Sequence, residues 1–455
     1  MRRLSTPYSL FCTLLVALYL QATPSLAQLS DDQKDAQLLK RLNTICAPWA
    51  DTLCITRAQN HLSLSSLGLL RLWSRSCESE GNGRACSNAG FLLGWYKKHK
   101  QDLSKAAWYF EKGCKMGDVQ GCAFLGHAYR NGRGITQDYS KALSSYQKAC
   151  DGDIGWACRN LGQIFEYGQA GKENDEQALE LYNQACDLGD NTGCTRLGWL
   201  HANRSGPLRD LKKAREAYQE ACRLNHPRGC TLIGHLYRDG RGVSLNLEQA
   251  FTLLSKACSL KHPRGCASVA TLHRDGRGTK QNHQQAALYF KQACDRDDLF
   301  GCRGLAHLLE NGWGVRKNIK KAVAHYENTC SQNDAYSCKR LARLFQNYPD
   351  LEVGENRVIA LFSKACDFGD GRACNDLGVK LRGDESRSKS RLPVAFFQRG
   401  CELGDEASCS NYGWHLETGQ GIGKSLEKAI STYTKACALG HDWSCQTLNN
   451  HASAH

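Results

Sequence analysis

Several signatures are missing from the sequence, and each absence closes a route to function. Apart from Leu10–Leu20 there is no long hydrophobic run, and those eleven residues fall short of the roughly 20 that a membrane-spanning helix needs. Ser-x-x-Lys occurs at Ser145/Lys148, Ser386/Lys389 and Ser425/Lys428, but Ser-Asp-Asn and Lys-Thr-Gly occur nowhere. Without them a serine of this type lacks the groups that make it an acylated nucleophile. There is no His-x-His-x-Asp, which excludes a dinuclear zinc hydrolase. There is no Cys-x-x-Cys either, which excludes zinc ribbons, thioredoxin-like exchange and covalent haem attachment. No catalytic residue, metal or cofactor is therefore assigned. The net charge of +14 is spread among interspersed acidic residues, so nucleic acid is not an expected partner.

What is present begins with a targeting segment. Arg2 and Arg3 precede the apolar stretch, and Ser25-Leu26-Ala27 supplies small residues, so residues 1–27 read as a signal peptide cleaved near Ala27. Cys12 follows Phe11 rather than a small residue, which argues against lipoprotein cleavage. Of 25 cysteines, 24 lie beyond this segment, an even number and too many for a reducing cytosol. The expected product is secreted or periplasmic, monomeric and without a membrane span. Residues 28–43 form a leader, 44–448 the main array and 449–455 a tail.

The cysteines fall in pairs. The first six are Cys46/Cys54, Cys77/Cys86, Cys114/Cys122, Cys150/Cys158, Cys186/Cys194 and Cys222/Cys230. The other six are Cys258/Cys266, Cys294/Cys302, Cys330/Cys338, Cys366/Cys374, Cys401/Cys409 and Cys437/Cys445. From Cys114 to Cys366 the pairs recur every 36 residues, the mark of a repeat architecture. In one period Leu125 and Tyr129 share a face of a first helix, and Gly126 leaves room for a close neighbour. Asn131-Gly132-Arg133-Gly134 ends that helix, and Asp138 is placed to cap a second one. Ala142, Leu143, Tyr146 and Ala149 form its apolar stripe, which ends at Cys150. The Gly-Arg-Gly loops at 132–134, 240–242 and 276–278 recur in register, so they are turns and not phosphate cradles. Eleven such hairpins lie between successive pairs, each unable to bury its apolar face alone. The predicted fold is an all-α superhelical solenoid. The hairpin between Cys54 and Cys77 is shorter than the rest, and two later hairpins carry other loops: Tyr348-Pro349-Asp350 stands in the place of Gly-x-Gly in one, and a charged loop at 384–391 in the other.

Gly-Cys-x-x-Leu-Gly-x-x-Tyr, then Gly-x-Gly, then Ala-x-x-x-Tyr-x-Lys-Ala-Cys resembles the Sel-one-like repeat, a relative of the tetratricopeptide repeat. With its cysteine pairs, the chain is similar to the Hcp-type cysteine-rich, beta-lactamase-like proteins over residues 44–448. The resemblance implies a superhelix in which each pair is a disulfide across the turn between consecutive units. It also implies two functions: a scaffold binding proteins, peptides or peptidoglycan fragments, or beta-lactam binding with weak hydrolase activity. Spacing alone leaves two disulfide registers open, because Cys122 could equally meet Cys150 within one hairpin. The chain ends favour the implied register, since pairing within hairpins would orphan Cys46 and Cys445.

A binding face is expected on the first helices, at the second and fifth residues after each repeat's second cysteine. Asn160, Arg196, Arg340 and Asn411 occupy the first register, and Trp199, Arg343 and Trp414 the second. Amide, guanidinium and indole groups suit an extended peptide or a carboxylate. Alanine at Arg196, Trp199, Arg340 and Arg343 is expected to weaken capture at unchanged stability.

Overall fold

The hairpin chemistry read from one period recurs along the whole molecule. The computed structural model describes residues 30–46, 52–96, 100–383 and 391–453, and the signal segment and most of the 384–391 loop lie outside them. Within the described residues there are 24 α-helices and no strands. The chain divides into two compact units, Met1–Leu224 and Asn225–His455. The first contains five helical hairpins, the second six.

The hairpin between Cys122 and Cys150 illustrates the local causes. Its first helix, Val119–Asn131, starts at Asp118, whose carboxylate accepts the Gly121 N–H at 2.8 Å. It stops at Gly132, which adopts the left-handed conformation (φ 65°) that glycine tolerates without penalty. The second helix, Tyr139–Asp151, starts at the expected Asp138, which accepts the Lys141 N–H at 2.9 Å. Gly126 faces the Tyr146 ring so closely that a Cβ there would lie 2.8 Å from it. Ala142, Tyr146, Ala149 and Cys150 are completely buried.

Within each unit, disulfides join the second helix of one hairpin to the first helix of the next. In the N-terminal unit they are Cys46–Cys54, Cys77–Cys86, Cys114–Cys122, Cys150–Cys158 and Cys186–Cys194. In the C-terminal unit they are Cys258–Cys266, Cys294–Cys302, Cys330–Cys338, Cys366–Cys374, Cys401–Cys409 and Cys437–Cys445. Cys222 and Cys230 are disulfide-bonded as well. The Cα atoms of Cys150 and Cys158 are 4.7 Å apart and those of Cys437 and Cys445 4.8 Å, within the ordinary range for a disulfide. The register that would join Cys122 to Cys150 is not the one formed, since Cys122 is bonded to Cys114.

Both ends of the repeat pattern extend into single helices. The leader contains Asp31–Ile45, opened by a capping box between Ser30 and Gln33. Leu42 is buried, and Asp35 takes Arg71 at 2.9 Å and Arg75 at 3.1 Å. By its place before Cys46 this helix stands where the second helix of a hairpin stands. Asp442–Ser453, carrying Cys445, is the matching first helix at the other end.

The hairpin with Tyr348-Pro349-Asp350 replaces the glycine turn by a short 3-10 turn, Pro349–Leu351. Its second helix, Glu355–Asp367, begins at Gly354 without a side-chain cap.

Candidate functional site

First helices of consecutive hairpins touch within each unit, and side chains cross between them. A third register joins the two anticipated: the eighth residue after the second cysteine. In the N-terminal unit Arg130, at this eighth position, donates to Asn160 Oδ1 at 2.7 Å and to Gln163 Oε1 at 2.8 Å. Glu166, fully buried at the same register, accepts the Tyr182 hydroxyl and stands 3.9 Å from Arg196. Arg196 also donates to the Tyr167 hydroxyl at 3.0 Å. Trp199 is half-buried against the cluster that includes Leu197, Leu200 and Tyr182.

The C-terminal unit repeats the pattern with more charge. Arg340 pairs with Glu310, which also accepts the Tyr326 hydroxyl at 3.0 Å. Arg343 reaches Asp376 at 2.7 Å. Arg382 donates to Asn411 Oδ1 at 3.3 Å and lies 5.7 Å from the Trp414 ring. Six of the seven anticipated residues thus contact other side chains in this network, in separate groups and not in one cluster, and Trp199 packs against apolar neighbours. Arg340 and Arg343 have structural partners, so the expectation that alanine there leaves stability unchanged needs correcting. Removing either guanidinium strands a carboxylate that is largely withdrawn from water.

A cleft of about 720 Å³ opens beside Arg343, between the hairpin that lacks its glycine turn and the next one. Arg343, Gln346, Asn375, Asp376, Lys380 and Glu355 line it, and Lys380 holds Glu355 at 2.8 Å. Burial pushes the Asp376 carboxyl above the usual range, against the pull of Arg343. The volume falls among those of small-ligand sites, about 300–1,000 Å³.

The corresponding side of the N-terminal unit is aromatic. Phe124 packs within 5.6 Å of Phe91, 5.1 Å of Trp95 and 5.6 Å of Trp156. The Arg133 guanidinium lies 4.6 Å from the Trp95 ring. His127 meets Trp95 edge-on, and burial, then Arg133 and Arg130, lowers its pKa to about 4. Trp95 and Arg130 lie outside the second and fifth registers, and Arg133 is legible in the sequence only as part of a turn. Extending the 36-residue comparison to the eighth would have exposed the alternation of Arg130, Glu166 and Glu310.

The Ser-x-x-Lys serines have local duties. Ser145 is buried and donates to the Lys141 carbonyl at 2.7 Å. The hollow beside it, about 170 Å³, is below the usual range for a ligand site. Ser425 caps the helix Leu426–Ala438. Ser386 and Lys389 lie outside the described residues. Cys294, Cys302 and His325 also cluster, with donor atoms within 4.8 Å of one another. The Cys294–Cys302 disulfide leaves only the imidazole of His325 as an uncommitted ligand there.

The architecture is that of an all-helical, disulfide-linked repeat solenoid. The Sel1 repeat model matches residues 83–118, 119–153, 157–190, 192–226, 227–262, 263–298, 300–334 and 407–441. This chain belongs to the Sel1 repeat family. A protective antigen of uropathogenic Escherichia coli displaying an SLR fold is 24% identical, with TM-score 0.66, over 84% of this chain and 82% of that one. A Sel1 repeat protein from Oxalobacter formigenes is 20% identical, with TM-score 0.48, over 54% of this chain and 96% of its own. Cysteine rich protein B of Helicobacter pylori is 30% identical over 28% of this chain and 91% of its own, with TM-score 0.24. No curated protein matches the chain. The unmatched interval between 334 and 407 contains the two irregular hairpins and the cleft.

Proposed function

We propose that this protein is an exported scaffold that holds a protein, peptide or peptidoglycan fragment along the side of its first helices. The observation that carries the reading is the cleft at Arg343 and Asp376. Glu355, Asn375, Asp376 and Lys380 stand on two helices linked by the Cys366–Cys374 disulfide, and Arg343 and Gln346 on the helix Ala335–Asn347, so the site is held by rigid elements. The Gln346 and Asn375 amides suit a peptide backbone, and the Arg343–Asp376 and Lys380–Glu355 pairs present charge of both signs to a partner's polar groups. Among the described residues no helix is long and apolar enough to cross a membrane, and so many disulfides suit an oxidising compartment. Export by a signal peptide cleaved near Ala27 completes the proposal, and N-terminal sequencing of the native protein tests it.

The binding test uses the immobilised full chain exposed to an envelope extract. Gln346→Ala and Lys380→Ala should weaken capture while thermal melts hold steady, since both change the cleft and leave the Arg343–Asp376 pair in place. Capture that is the same with both variants removes the cleft from the reading.

A further inference from the structure

We infer that the first-helix side of the N-terminal unit is a docking strip for an extended acidic peptide segment carrying aromatic or large aliphatic side chains. The inference rests on the proposed scaffold reading and supplies the chemistry of one partner. Phe91, Trp95, Phe124 and Trp156, from three consecutive hairpins, are all half-buried and linked ring to ring through Phe124. The row is backed by buried Phe110, 5.1 Å from Phe124 and 5.4 Å from Trp95. Half-buried rings on rigid helices offer apolar area at little conformational cost, which is what anchors a partner side chain.

Charge selects the partner. Arg130 and Arg133 border the row, and among the described residues neither pairs with a carboxylate. Arg130 is held by two side-chain amides, and Arg133 by the Gly94 carbonyl at 3.2 Å and the face of Trp95. Neutral partners orient these guanidinia without cancelling their charge. Burial, and after it Arg133 and Arg130, lowers the His127 pKa beside them. In the C-terminal unit, by contrast, Arg340 and Arg343 are neutralised by Glu310 and Asp376. A partner carboxylate would form charge-assisted hydrogen bonds with these arginines, whereas a basic segment would be repelled.

The test is fluorescence anisotropy of the full-length oxidised protein with end-blocked, labelled octapeptides. One alternates Asp and Phe, a second replaces Asp by Lys, and a third replaces Phe by Ala. The Asp–Phe peptide should bind, more weakly as salt rises, and the other two should bind at least about tenfold more weakly. Arg133→Gln and the Arg130→Gln/Arg133→Gln pair should weaken it stepwise. Melting curves check that the variants fold, and Arg133→Gln alone keeps the test decisive if the pair does not. Equal binding of the Lys–Phe or Asp–Ala peptide overturns the inference, as does an Arg133→Gln protein that binds normally. Binding to anionic phospholipid vesicles without peptide binding overturns it too. Loss of this inference with cleft-dependent capture intact would leave the scaffold reading standing.

Discussion

Single residues set the geometry of each hairpin. The Gly126 Cβ position is occupied by the Tyr146 ring, and both helices are tightly held, so Gly126→Ala should cost about 1–3 kcal/mol by overpacking. Denaturant unfolding measures this, and an unchanged midpoint would mean that the ring has space to retreat. His262 provides a second test. It caps Pro263–Asp275 through Nδ1, which accepts the Gly265 N–H at 3.2 Å and lies 2.8 Å from Thr231 Oγ1. Burial, then Arg228, lowers its pKa from 6.5, with Asp298 opposing and His226 and Arg264 adding to the fall. With the folded value below the unfolded one, the unfolded chain takes the proton first as pH falls. Stability is therefore level above about 6.5 and declines below it until the folded imidazole also protonates. His262→Asp, which keeps a cap acceptor, should flatten melting temperature between pH 7.5 and 5.5. An identical slope in wild type and variant would rule out this cap as the source.

At the scale of elements, links between hairpins matter most. Non-reduced peptide mapping should recover Cys150 with Cys158 and Cys437 with Cys445, and recovery of Cys122 with Cys150 would contradict the structure. Replacing Cys150 and Cys158 together by alanine should cost roughly 2.5 kcal/mol, the loop-closure contribution of so short a ring. Contributions from successive links will not add, because neighbouring bonds restrain the same unfolded segments. Arg343→Ala also acts between elements, leaving Asp376 without its partner. Because burial raises the Asp376 pKa, losing the guanidinium should hurt more at pH 7.5 than at pH 4.5, where protonation relieves the stranded charge. Thermal melts at the two pH values check the sign.

Across the whole molecule the enzyme question has a direct test. Ser145 and Ser425 are engaged in helix hydrogen bonds, and neither lies beside Ser-Asp-Asn or Lys-Thr-Gly. Benzylpenicillin should therefore leave the intact mass of the protein unchanged. A stoichiometric adduct abolished by Ser145→Ala, Ser386→Ala or Ser425→Ala would restore a serine-type site.

Periodicity made the helices legible before any coordinates. A repeat must bury the same face every 36 residues, so Leu125, Ala142, Tyr146 and the cysteines recur in register, and Gly132 and Asp138 mark the helix ends. These are local and nearest-neighbour requirements, which a one-dimensional pattern can encode. The helix Asp31–Ile45 is less visible because its residues do not carry the glycine and tyrosine signature of the 36-residue pattern. The candidate site was legible only as a side of a helix. Whether Arg340 meets a ligand or Glu310 depends on which residue the next first helix presents, and register analysis names positions without naming their partners. Only the tertiary structure decided that Arg343 is neutralised by Asp376 whereas Arg130 and Arg133 are not. Electrostatic compensation is set by distances of roughly 3–4 Å between side chains some 30 residues apart, and that information exists only once the helices are packed.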